Sequence, residues 1–166
     1  VPREPHDRAD LTWIGLAHGP TTSYPAYSRG YAVAVAGKSF LVGSADPRFC
    51  GDASLHNPED LLVAALSGCH LLNYLAECAR VGLAVLEYSD AATGTMQFEG
   101  GSGRFVEVML CPRVVVSPGT DVDLALALHN KAQEVCFIAR SVNFPVLHDP
   151  TIIPSEADES QPSIEP

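Results

Sequence analysis

"NPEDLLVAALSGCHLLNYLAECARVG", residues 57–82, decides the architecture. Asn57 suits an N-cap, Pro58 the first helical position, and Glu59 and Asp60 complement the positive end of a helix. From Leu61 to Leu72 almost nothing is charged. That predicts a helix buried nearly all round, between two layers or two subunits. It is also a helix with sulfur in it. Cys69 and Cys78 are nine residues apart, which puts them on opposite faces with about 13 Å of rise between them. They cannot pair without unwinding the helix. A disulfide partner for Cys69 must therefore be Cys50, Cys111 or Cys136, and Cys136 ends the next helical stretch.

Outward from this helix the periodicity changes several times. "DLTWIGLAHG" (10–19) reads as a strand, and "RGYAVAVAGKSFLVGS" (29–44) as a hairpin turning at Gly37-Lys38. "ADPRFCGDASLH" (45–56) is a loop into the helix. Two β-rich stretches follow, "AVLEYSDAATGTMQFEG" and "GRFVEVMLCPRVVV", the second with Val106, Val108 and Leu110 on one face. "GTDVDLALALHNKAQEVCFIAR" (119–140) has helical composition, and "SVNFPVLHDPTII" reads as a last strand. The order is β-β-β-α-β-β-α-β, an α+β fold. Residues 1–9 and 151–166 read as mobile tails, the second because it carries acids and prolines but no cation. That leaves 10–150 as a single domain.

The 166 residues are 46% hydrophobic and 18% charged, with a net charge of −10. Such a balance argues against a nucleic-acid partner, which needs clustered cations. No apolar stretch of about 18 residues is expected to span a membrane, and the polar start lacks a secretory signal. The chain reads as cytoplasmic. Its five cysteines are odd in number and contain no CxxC, against both a disulfide framework and a zinc site. No cofactor is expected.

"NPEDLLVAALSGCH" (57–70), with "CFIARSVNFPV" (136–146) following, resembles the OsmC/Ohr family of thiol-dependent peroxidases. The likeness spans roughly residues 24–147, and "YPAYSRGY" and "EYSDAATGTM" point to its OsmC-like branch. The resemblance implies antiparallel sheets around two central helices and an intertwined homodimer. It also implies an organic hydroperoxide substrate and a thiol or dithiol reductant such as a lipoyl protein. Cys69 matches the peroxidatic cysteine and Cys136 the resolving one. Glu59 matches a glutamate that holds an arginine against the thiolate. Arg29 in "YSRGY" is the first choice for that arginine, and Arg48 in "DPRF" its rival. Relatives often carry His three residues before the second cysteine, where this chain has Gln133.

The residue types fit that chemistry. A free thiol titrates near pKa ~8.5, and only its thiolate attacks a peroxide. Burial works against the thiolate, so a working thiol needs a nearby cation, and arginine does not lose its charge. His70 adjoins Cys69, but neighbours on a helix point about 100° apart, so no Cys-His dyad is expected. Cys50, Cys78 and Cys111 read as packing residues. A cysteine hydrolase would need a base that the spacing does not supply. The alternative function is a non-catalytic apolar-ligand-binding or interaction module of the same fold, which has no use for a second thiol.

Helix length also bears on assembly. Glu59 and Cys69 stand about 15 Å apart along one helix, too far for one arginine to bridge well. Two helices packed antiparallel in a dimer bring the first turn of one toward the middle of the other.

Overall fold

The computed structural model describes residues 7–156. Of the sequence-predicted tails at 1–9 and 151–166, residues 1–6 and 157–166 lie outside the described residues. The backbone groups into two compact units that divide at Leu62/Val63.

In the first unit, β1 (Asp10–Trp13), β2 (Tyr31–Ala34) and β3 (Leu41–Gly43) form an antiparallel sheet in that order. The expected hairpin is present, with Gly37 at φ +77° in its turn. Gly43 is required by packing: a Cβ there would lie 2.3 Å from Cζ of Tyr31. The first helix, α1 (Pro58–Arg80), starts where its cap predicts. Asn57 Oδ1 accepts the Asp60 N–H at 2.7 Å, and Asp60 Oδ2 accepts the Asn57 N–H at 3.2 Å, a reciprocal capping box.

In the second unit, each stretch expected to be one strand is two. They are β4 (Val85–Asp90) and β5 (Thr93–Glu99), β6 (Ser102–Leu110) and β7 (Pro112–Val116), and β8 (Val146–His148) and β9 (Thr151–Pro154). The two strands of each such pair lie in different sheets, ordered β4-β7-β9 and β5-β6-β8, so the chain changes sheet at each break. Proline marks two of the breaks, at Pro112 and Pro150, where it cannot donate to a ladder. At the third, Asp90 Oδ1 accepts the Cys111 N–H at 2.7 Å while Oδ2 accepts the Ser67 hydroxyl at 2.5 Å. The α+β class holds, but the sheets are mixed: β6-β8 and β7-β9 pair in parallel. β9 also corrects the expected tail, since Ile152 packs against the core and draws residues 151–154 into the sheet.

The second helix, α2 (Val122–Val135), is capped by Asp121, whose side chain accepts the Leu124 N–H. Its buried face is Ala125, Leu128, His129 and Ala132, one stripe at helical spacing. With Tyr74 and Cys78 of α1 and Val114 and Val116 of β7, Leu128 and Ala132 make a core cluster. The face of α1 that enters this unit's interior is equally narrow: Leu66, His70, Tyr74 and Cys78. The expectation of a helix buried nearly all round is thus wrong for the single chain. Ala64, Ala65, Leu72, Leu75 and Ala79 are exposed, Leu72 at 69%. The helix is apolar there with nothing among the described residues to cover it. Its length and mean hydropathy of 1.4 also meet the requirement for crossing a bilayer, against the expectation that no such stretch exists.

Candidate active site

Cys69 lies mid-way along α1, half-buried, and Cys136 is the buried residue that ends α2. The thiol of Cys136 is pushed up to about 11, by burial first and by the neighbouring Cys69 side chain second. The structure therefore brings these two thiols together, both free. The pair is unequal. Cys136 holds its proton strongly, although its sulfur accepts the Ala139 N–H at 3.5 Å. Asn73, one helical turn after Cys69, reaches the Cys69 sulfur at 3.5 Å.

Next to Cys69 on α1, His70 meets two further histidines; His70 and His129 are fully buried and His148 half-buried. His70 Nε2 and His129 Nδ1 share a hydrogen bond of 2.9 Å, so at least one of the rings donates through its tautomer. Tyr74 stacks on His129 at 3.8 Å between ring centroids, and His148 tilts against both histidines. Burial lowers all three, and repulsion from neighbouring histidines adds to it in His70 and His129. His129 falls to about 3, through burial, then His70, then His148. In His70, burial and His148 outweigh the opposing pull of Gln133 and Asp90. In His148, burial outweighs Asp149. His70 thus turns toward α2. Gln133 ties α2 to β8, its Nε2 donating to the Val146 carbonyl at 2.9 Å. Its Oε1 and His70 Nδ1 fall short of hydrogen-bond geometry with each other.

The charged candidates belong to the first unit. Arg29 directs its guanidinium into its own loop, donating to the carbonyls of Tyr24 and Tyr27 and lying over both rings, 3.8 Å from the Tyr27 centroid. Arg48 forms a two-point ion pair with Asp46, at 2.8 and 3.1 Å. Asp46 first, and Glu59 as well, strengthen its hold on its proton. In this chain Glu59 thus acts on Arg48. Glu59 and Asp60 also raise the Tyr31 hydroxyl, after burial, which places Tyr31 near the start of α1.

Of the residues expected to pack, Cys78 is buried and Cys111 half-buried, but Cys50 is exposed. Cys50 sits at φ +62° where a short turn ends, so its loop and not the core sets its place. Sequence reasoning passed over Asn73, His129, Tyr31 and Asp46. Asn73 was within reach, since residues four apart on a helix are neighbours. Asp46 was too, two residues from Arg48, whereas His129 and Tyr31 meet their partners only through the tertiary fold.

The profile of the OsmC-like protein family matches residues 51–149. The chain belongs to the OsmC-like family. No curated protein sequence matches it. Among solved structures, an OsmC-like protein of unknown function from Vibrio cholerae is 29% identical, with a TM-score of 0.81 over 89% of this chain and 100% of that one. An organic hydroperoxide resistance protein from Elizabethkingia anophelis shares the OsmC-like fold at 19% identity, with a TM-score of 0.66 over 93% of this chain and 100% of that one. Another from Legionella pneumophila does so at 17%, with a TM-score of 0.62 over 89% and 96%. Family and neighbours together support a peroxide-related redox role.

Proposed function

We propose that this protein is a thiol-dependent peroxidase that reduces organic hydroperoxides to alcohols. What carries the reading is the meeting of two free thiols from different helices, one of them holding its proton tightly. Cys69 is the attacking thiolate. Its sulfur takes the terminal peroxide oxygen, the O–O bond breaks, and the alkoxide leaves and collects a proton as the alcohol. Cys69 is now a sulfenic acid. Cys136 gives up its proton and attacks that sulfur, forming the disulfide and releasing water. An external thiol or dithiol, such as a lipoyl group, returns both cysteines to the reduced state. Cys136 staying protonated until this step suits the order, because only one sulfur need be nucleophilic at the start.

The uncovered apolar stripe of α1 supports a homodimer in which two copies of that helix cover one another. In that assembly an arginine held by Glu59 of one copy serves the thiolate of the other, fixing its charge and donating to the leaving oxygen. Arg29 holds the place that the family resemblance favours, while Arg48 is the arginine on which Glu59 acts within the chain.

Thiol titration before and after one equivalent of cumene hydroperoxide tests the chemistry, followed by peptide mapping. Two thiols lost, with a Cys69–Cys136 bridge, is the expected result. Unchanged thiols would leave an apolar-binding module, and a bridge from Cys69 to Cys50 or Cys111 would overturn the assignment. Mixing Glu59→Ala with Cys69→Ser chains tests the shared site, since each mixed dimer should regain one intact centre.

A further inference from the structure

Asparagine is a poor residue for the middle of a helix, because its amide competes for backbone groups. Asn73 nevertheless occupies the interior of α1, half-buried and one turn beyond Cys69. Its Nδ2 donates to the Cys69 carbonyl oxygen at 2.8 Å, and the same nitrogen lies 3.5 Å from the Cys69 sulfur. The first contact settles which way the amide faces. A carbonyl oxygen only accepts, so the NH2 group must be turned toward it. That group has two hydrogens, one for the carbonyl and one for the sulfur. The backbone bond also locks the side chain in place, so the donor is already aimed when charge develops on sulfur.

We propose that Asn73 is the intrachain hydrogen-bond donor that holds the Cys69 sulfur as a thiolate. The role rests on Cys69 acting as the attacking thiol, the reading given above. It supplies what an arginine alone does not: a donor fixed to the same helix as the nucleophile. A thiolate bonded this way is favoured over the thiol, whose sulfur is a weak acceptor. The neighbouring Cys136 thiol has no such donor from an amide side chain among the described residues. Burial and the facing sulfur instead keep its proton on. Asn73 thereby decides which of the two sulfurs carries the charge.

The test is the pH profile of Cys69 alkylation by iodoacetamide, read by mass spectrometry on the Cys69 peptide of the full-length reduced protein. Asn73→Leu keeps the size and removes the donor. Its half-maximal pH should move upward, and its rate at pH 7 should fall about five-fold. Asn73→Asp sets a carboxylate beside the sulfur and should slow alkylation at least about ten-fold. Asn73→Ala is the stability control. Alanine is the better helix former, so this variant should melt no lower than the parent yet alkylate as slowly as the Leu variant. Profiles of all three variants that superimpose on the parent would overturn the role. The readout contains no peroxide. If the parent fails to consume cumene hydroperoxide while the variants still alkylate slowly, the peroxidase reading falls and the role of Asn73 stands. If the parent consumes hydroperoxide and the variants alkylate like it, the reverse holds.

Discussion

Acidification from pH 7 to pH 5 should destabilise this protein, and the amount can be worked from His129. The ring is fully buried, bonded to His70 and stacked on Tyr74, and its proton affinity falls to about 3. In the unfolded chain a histidine titrates near 6.5. Between those values the unfolded state binds more protons, so stability is full above pH ~6.5 and is lost as the pH falls through that window. Integrating the difference from pH 7 to pH 5 gives about 2 kcal/mol from His129 alone. His70 and His148 are lowered as well and add in the same direction. Ordinary carboxylates titrate near pH 4, so the window chosen reports mainly on histidine. Urea unfolding of the reduced protein at fixed concentration would measure the slope directly. His129→Phe keeps an aromatic ring against Tyr74 and should flatten the slope by about 2 kcal/mol over the same two pH units. Two results would refute the reasoning: a parent equally stable at pH 5 and pH 7, or a variant with the parent's slope.

Three further outcomes are expected. Cys136→Ser should leave the first peroxide turnover intact but let Cys69 accumulate sulfenic and then sulfinic acid, visible as the gain of one and then two oxygen atoms on its peptide. Arg29→Ala should slow peroxide reduction strongly and Arg48→Ala weakly; the opposite ranking in single-turnover assays transfers the thiolate's cation to Arg48. Asn57→Ala removes the acceptor from the start of α1 and should cost about 1 kcal/mol of stability in urea titrations, with a spread of about 0.5–2.

The helices were legible in the sequence because their signals are local. Asn57-Pro58 opens α1, Asp121 opens α2, and both caps act within three residues of themselves. The strand count was not legible, since a strand that changes sheet keeps its β-forming residues on both sides of the break. Val106, Val108 and Leu110 continue into Val114 and Val116 with only Cys111-Pro112-Arg113 between them. What separates them is a long-range bond, from Cys111 to an aspartate 21 residues earlier. The exposure of α1 was misjudged for a related reason. Composition shows that a face is apolar, but it does not show which chain covers it.

The meeting of Cys69 with Cys136 follows from a register between the two helices. Tyr74 stacks on His129, His70 bonds to His129 and faces Gln133, and Cys69 adjoins Cys136. As the position on α1 falls from 74 to 69, the position on α2 rises from 129 to 136, so the helices run antiparallel. Each rung fixes the next. A tyrosine and a histidine interlock at the first, and the aligned rings leave little freedom to slide a turn of about 5.4 Å. A slip of that size would carry Cys136 past Cys69 and beyond the separation a disulfide tolerates. The buried histidines, which do no chemistry in the proposed cycle, are therefore what keeps the two sulfurs level. Their cost is the acid sensitivity worked out above, because the same burial that sets the register also forbids them a proton.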